Sequence, residues 1–155
     1  MTTQTTPQTT DSSTIETVDA VVIGAGFGGV YLVHRFADDL GMSVIGFEKG
    51  DDIGGTWYWN RYPGALSDTQ SHLYRYSFSK ELLQKADWTH TYVDQPQILD
   101  YFELVDQELD VRRHFRFGHE VTTATWLDGE GRWEVVAKDV STGQTTTVRA
   151  TYVIN

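Results

Sequence analysis

The stretch Asp19-Ala20-Val21-Val22-Ile23-Gly24-Ala25-Gly26-Phe27-Gly28-Gly29 decides the fold. Its first half is an apolar run, and its second half breaks into a G-x-G-x-x-G turn at Gly24, Gly26 and Gly29. A second apolar run, Ser43-Val44-Ile45-Gly46-Phe47, closes on Glu48. Strand, glycine turn, helix and second strand, with an acid about twenty residues after the turn, form the layout of a βαβ unit built around a dinucleotide.

Each part of that layout has a physical task. Gly24 lets the chain turn sharply off the strand, Gly26 has no β-carbon to block a pyrophosphate, and Gly29 lets the helix lie close to the sheet. Unpaired amides near Phe27 to Gly29 face the phosphates, with the positive end of the helix dipole behind them. The helix is expected to present Gly29, Val33, Phe36, Ala37 and Leu40 on one face and to end at Gly41. Glu48 is expected to accept from both hydroxyls of an adenosine ribose, each charge-assisted bond contributing roughly 1.5 to 3 kcal/mol. Its charge repels a 2'-phosphate, so the site favours FAD or NAD over NADP.

The sequence has 155 residues, 39% of them hydrophobic and 13% aromatic, enough for one domain with a real core. A formal charge of −10 leaves no basic stripe for nucleic acid. The absence of cysteine excludes a disulfide framework, a thiolate metal site and a redox-active Cys pair. His34, His72, His90, His114 and His119 show no metal-ligand spacing, so no metal is expected. No window approaches a membrane span and no targeting signal is recognisable, which predicts a cytoplasmic protein.

Residues 1–17 are dominated by Thr, Gln and Ser and read as a disordered tail, leaving 18–155 as the folded part. From Gly50 to Asp94 periodicity is lost among Trp, Tyr, Gly and polar turns, which predicts a long excursion over the carboxyl ends of the strands. Pro96 suits the first turn of a helix carrying Ile98, Phe102, Val105 and Leu109. Phe115 to Phe117 reads as a short strand. Three further strands, Val121–Leu127, Arg132–Asp139 and Thr145–Asn155, are expected as an antiparallel meander. The apolar end Tyr152-Val153-Ile154-Asn155 suggests an N-terminal piece of a longer protein, inactive alone.

The excursion narrows the reading further. Ile53-Gly54-Gly55-Thr56-Trp57-Tyr58-Trp59-Asn60-Arg61-Tyr62-Pro63-Gly64-Ala65-Leu66-Ser67-Asp68-Thr69 closely resembles the loop after the ribose-binding acid in Baeyer-Villiger monooxygenases. Ser71 to Phe78, Gln95 to Leu99 and Arg112 to Phe117 are similar to the cyclohexanone monooxygenase branch, so the resemblance spans about residues 19–155. It implies an α/β, Rossmann-like FAD-binding three-layer domain of the two-dinucleotide-binding flavoprotein type, with an antiparallel β-meander, incomplete in this chain. It also implies an enzyme using FAD, NADPH and dioxygen to turn cyclic ketones into lactones or esters through a flavin peroxide.

By the same resemblance, Gly24, Gly26, Phe27, Gly28 and Gly29 match the pyrophosphate turn, and Glu48 with Lys49 the ribose end. Gly55, Thr56, Trp57, Tyr58 and Trp59 match the loop over the flavin, Tyr74 a flavin contact, and Val121 a contact near the adenine. Leu66, Ser67 and Asp68 match positions close to the nicotinamide cofactor, and Asp68 also the acid that holds a catalytic arginine lying outside this chain. Independently of family, Trp57, Trp59 and Tyr74 are suited to wall a flat heteroaromatic ring and exclude water. Gln70 stands where relatives commonly carry Glu. The signature F-x-G-x-x-x-H-x-x-x-W-P and a second G-x-G-x-x-G for NADPH do not occur in residues 1–155, so the remainder of the enzyme is the expected partner. The alternatives are a non-catalytic FAD- or NAD-binding module and another flavin monooxygenase, such as an N-hydroxylating enzyme.

Overall fold

The computed structural model describes residues 15–155. In chain order the elements are β1 (Glu16–Ile23), α1 (Phe27–His34), β2 (Val44–Phe47), α2 (Thr56–Trp59), α3 (Lys80–Lys85), α4 (Gln95–Leu109), β3 (Phe115–Arg116), β4 (His119–Leu127), β5 (Arg132–Asp139) and β6 (Thr145–Ile154). One six-stranded sheet runs in the order β3-β2-β1-β6-β5-β4. β3, β2, β1 and β6 are mutually parallel, while β4, β5 and β6 form the expected antiparallel meander. Its last strand therefore serves two roles, closing the meander and lying beside β1 in the parallel sheet. The tail expected at residues 1–17 falls mostly on positions outside the described residues. Glu16 and Thr17 are instead strand residues, registered against Val148 and Arg149 of β6.

Alternation along the strands divides the interior. Val22 packs with Val30 and Val33 of α1 and with Ile98, Phe102 and Val105 of α4, so these two helices share one apolar cluster with the sheet. Val21, Ile45 and Phe47 join a second cluster with Val135, Ala137, Val148 and Ala150. α4 begins where its sequence indicates: the Asp94 side chain accepts from the Gln97 amide, and Pro96 occupies the first turn, where no amide hydrogen is needed. It ends at Asp110, in the left-handed conformation at φ 49°.

α1 departs from expectation at its end. After His34 the chain continues as a π-helical turn, Arg35–Asp39, before Gly41 reverses it at φ +65°. The wider turn breaks the 3.6-residue repeat, and Leu40, expected on the apolar face, is exposed.

The topology places the site. From β1 the chain passes through α1 to β2 on one side, whereas β6 lies on the other side of β1. The strand order changes direction at β1, and the crevice at the carboxyl end of such a strand is where doubly wound sheets bind ligands. The glycine turn occupies that position.

Candidate functional site

Gly24 leaves β1 at φ +91°, its amide donating to the Phe47 carbonyl at 2.8 Å. A β-carbon on Gly29 would lie 1.9 Å from the Gly24 carbonyl oxygen, so this glycine is required for α1 to lie against the turn. Gly26 caps α1 with no side-chain hydrogen bond, and no acid stands in the first turn. Helix geometry leaves those first amides without intrahelical partners. A β-carbon on Gly28 would meet nothing within 4 Å, so the backbone there is open to close approach. Amides without intrahelical partners, no side-chain cap and an uncluttered surface fit an anionic pyrophosphate.

Glu48 is 5% exposed and stands at the end of β2 as expected. Its carboxylate has a structural task that its position in sequence did not reveal. Oε2 accepts from the Ala25 amide at 2.8 Å, and Oε1 from the Gly50 amide at 2.7 Å. The side chain thus ties the glycine turn to the loop after β2. Each carboxylate oxygen retains a second acceptor direction, so ribose hydroxyls and these amides are compatible partners. Gly24, Glu48, Lys49 and Val121 are brought together around one cleft of about 160 Å³, with His119 and Glu120 on its wall. Lys49 is ion-paired there with Glu120 at 2.9 Å.

The aromatic loop does not act as a single wall. Trp57 points inward and donates from Nε1 to the Tyr74 hydroxyl at 2.8 Å, the two rings meeting edge to face. Trp59 is 56% exposed and lies edge-on to Tyr58, away from that pair. The reason is α2: in a helical turn, residues two apart are rotated by about 200° and cannot share a face. Tyr58 and Trp59 line a separate hollow of about 510 Å³ with Lys49, Phe117 and Val140. Thr56 is exposed and its hydroxyl accepts from the Asn60 side-chain amide at 3.0 Å.

Phe27, Gly28 and Tyr74 meet around an aromatic hollow of about 390 Å³ with Tyr31 and Tyr76. The Tyr76 hydroxyl donates to the Phe27 carbonyl at 2.7 Å, and burial pushes its phenol well above the usual range, so it remains a donor. Leu66 is exposed and lines a third hollow with Tyr92 and Asp94. Ser67 is buried, and its hydroxyl both accepts from the Thr69 amide and donates to the Thr69 carbonyl, each at 3.1 Å. Asp68 is exposed, and among the described residues its carboxylate accepts only the Thr69 hydroxyl, at 3.3 Å. The turn is therefore capped by Ser67, and Asp68 is left available.

Other residues that the sequence did not mark hold this site in place. The Gly54 amide donates to the Ala25 carbonyl at 2.8 Å, and the Gln95 side-chain amide donates to the Trp57 carbonyl at 2.7 Å. Gln95 lies in a quoted family-like stretch, but only tertiary contact across 38 positions reveals its role. Among the described residues, no group of three or more His, Asp or Glu is placed to hold a metal, and no helix is long and apolar enough to cross a membrane.

Strand order, glycine turn and buried acid define a Rossmann-like dinucleotide-binding domain. The chain belongs to the NAD(P)-binding Rossmann-like domain family, whose model matches residues 22–103, and it is homologous to Baeyer-Villiger monooxygenases. It is 50% identical over 131 residues to a Baeyer-Villiger monooxygenase of Pseudooceanicola batsensis, covering 84% of this chain and 24% of that protein. It is 44% identical over 120 residues to a cyclohexanone 1,2-monooxygenase of an Acinetobacter species, covering 77% and 22%. The NADP+-bound crystal structure of cyclohexanone monooxygenase from Rhodococcus sp. Phi1 matches with a TM-score of 0.83 at 57% identity, over 90% of this chain and 25% of that one. The chain spans about a quarter of the length of these relatives.

Proposed function

We propose that the chain supplies the FAD-binding segment of an NADPH- and dioxygen-dependent Baeyer-Villiger monooxygenase that converts cyclic ketones to lactones or esters. One observation carries the reading: the Gly54-Gly55-Thr56-Trp57 loop is seated directly on the glycine turn, through Gly54 to Ala25 and Gly55 against Gly26. A bare βαβ nucleotide site needs no aromatic segment there, whereas a flavin ring needs a dry, flat neighbour beyond its pyrophosphate.

In this assignment the amides of Phe27 to Gly29 hold the pyrophosphate, and Glu48, with Lys49 and Val121 beside it, holds the adenosine end. Trp57 and Tyr74, locked to one another by their hydrogen bond, shield the ring side from water. Bound FAD, once reduced, supplies the means of activating dioxygen. Leu66, Ser67 and Asp68 lie alongside the nicotinamide, and Asp68 orients an arginine from the rest of the enzyme. NADPH is held mainly by that remainder, and we place the enzyme in the cytoplasm.

The test uses the full-length enzyme. Purified protein is expected to carry FAD, to consume NADPH only when cyclohexanone and dioxygen are present, and to release a lactone identified by gas chromatography. Protein that takes up no flavin at saturating FAD, or that consumes NADPH without forming lactone, would overturn the assignment.

A further inference from the structure

Arg112 stands just beyond α4, in the short helical turn Val111–His114. Its guanidinium joins three carboxylates from two parts of the chain. Nε donates to Asp52 Oδ1 at 2.8 Å, Nη1 to Asp106 Oδ2 at 2.7 Å, and Nη2 to Glu103. Its backbone amide donates to Asp106 Oδ1 at 2.8 Å, which fixes the residue to the end of α4 a second time. Glu103 and Asp106 belong to α4, while Asp52 lies 60 positions before Arg112, in the loop after β2.

From Asp52 the effect passes along consecutive residues. Asp52 Oδ1 also accepts the Ile53 amide at 2.7 Å, and the Ile53 side chain is buried in the core. The Gly54 amide then reaches Ala25, and Gly55 rests on Gly26. Arg112 thus anchors the near end of the loop whose far end seats on the phosphate turn.

We propose that Arg112 is a positioning residue of the flavin site, acting through Asp52 to hold the 52–57 loop at the spacing from the glycine turn that a bound dinucleotide requires. The proposal rests on the FAD reading above. Its physical basis is the charge balance. Without the guanidinium, three carboxylates converge on one point and repel, and Asp52, the one not fixed to a helix, is the one free to swing into solvent. Lysine is no substitute, because a single ammonium cannot present a planar fork to three acceptors. Arg112 and Glu103 are partly exposed, so the pairs add modestly to global stability. Their effect falls on loop position.

The experiment compares the FAD dissociation constant, by flavin fluorescence titration of full-length apoprotein, across Arg112→Met, Arg112→Lys, Asp52→Ala, the Asp52→Ala/Arg112→Met double variant and Glu103→Gln. Arg112→Met and Asp52→Ala should each weaken FAD about tenfold, the double variant no more than either alone, and Glu103→Gln less than about twofold. Arg112→Lys should resemble Arg112→Met. If Arg112→Met fails to fold, Asp52→Ala, which reaches the loop without altering the turn after α4, carries the comparison. Wild-type apoprotein that takes up no FAD would sink the flavin reading and this proposal with it. Wild type that binds FAD beside Arg112→Met or Asp52→Ala of equal affinity, or losses that add in the double variant, would overturn the proposal alone.

Discussion

Gly55 lies so close to Gly26 that a β-carbon on it would stand 2.6 Å from the Gly26 α-carbon, and its backbone is left-handed at φ +54°. Two segments separated by α1 and β2 therefore touch backbone to backbone where the nucleotide is proposed to sit. The contact is unequal. A β-carbon on Gly26 would find nothing nearer than the Gly55 α-carbon at 3.5 Å, an ordinary van der Waals distance.

That inequality separates folding from binding. Gly55→Ala is expected to destabilise the apoprotein by about 2 to 4 kcal/mol, combining left-handed strain with overpacking. Gly26→Ala is expected to cost the apoprotein about 1 kcal/mol or less, the difference between glycine and alanine at a helix N-cap. It should nevertheless weaken FAD at least about tenfold, because the added methyl occupies the pyrophosphate approach. Denaturation of apoprotein and flavin titration, run on both variants, check the pair. Gly26→Ala with wild-type flavin affinity would remove the pyrophosphate from this turn.

Glu48 carries a structural task beside its proposed binding one. Glu48→Ala removes the acceptor for the Ala25 and Gly50 amides, and leaving buried donors unpaired costs about 1 to 3 kcal/mol each. The variant should therefore lose apoprotein stability as well as FAD affinity. Glu48→Gln retains one acceptor oxygen and should fall between the two. Apoprotein of Glu48→Ala that melts with wild type would contradict the observed bonding.

Periodicity and motif placement made much of this architecture legible. The glycine turn, Glu48 after β2, the Pro96 start of α4 and the β4–β5–β6 meander are all encoded within short windows. The rest depends on contacts that no window contains. That β6 lies parallel beside β1, with Val21 against Val153 and Val22 against Ile154, follows from how the meander returns across the sheet. Trp57 and Trp59 look equivalent in sequence, yet one helical turn sends them to opposite sides. Asp52 and Arg112 stand 60 positions apart, and only tertiary approach makes them a pair.

The hairpin between β5 and β6 provides a pH test. The Ser141 hydroxyl and the Thr142 and Ser141 amides all donate to Asp139, holding its carboxyl down to about 2. A folded value below the unfolded one means that this contribution is complete above the unfolded pKa near 3.8 and is lost as pH falls toward 2. In NMR titrations the Ser141 and Thr142 amide shifts should move with a midpoint near 2. A midpoint near 3.8, the ordinary value for an aspartate, would show that the cap does not form.

Asp68 tests the reach of the site beyond this segment. The turn around it closes through Ser67, whose hydroxyl both donates to and accepts from the Thr69 backbone, so Asp68 does not hold the local fold. Asp68→Ala should accordingly leave stability within about 0.5 kcal/mol, as surface substitutions usually do. In the proposed enzyme its carboxylate orients an arginine supplied by the remainder, and an unrestrained guanidinium no longer faces developing charge. Ketone oxygenation in the full-length variant should then fall about a hundredfold while FAD affinity stays within about twofold. Stopped-flow spectra should place the loss in flavin reduction or in the oxygenation half-reaction. Unimpaired turnover in Asp68→Ala, with both half-reactions at wild-type rates, would leave this exposed acid without a part in catalysis.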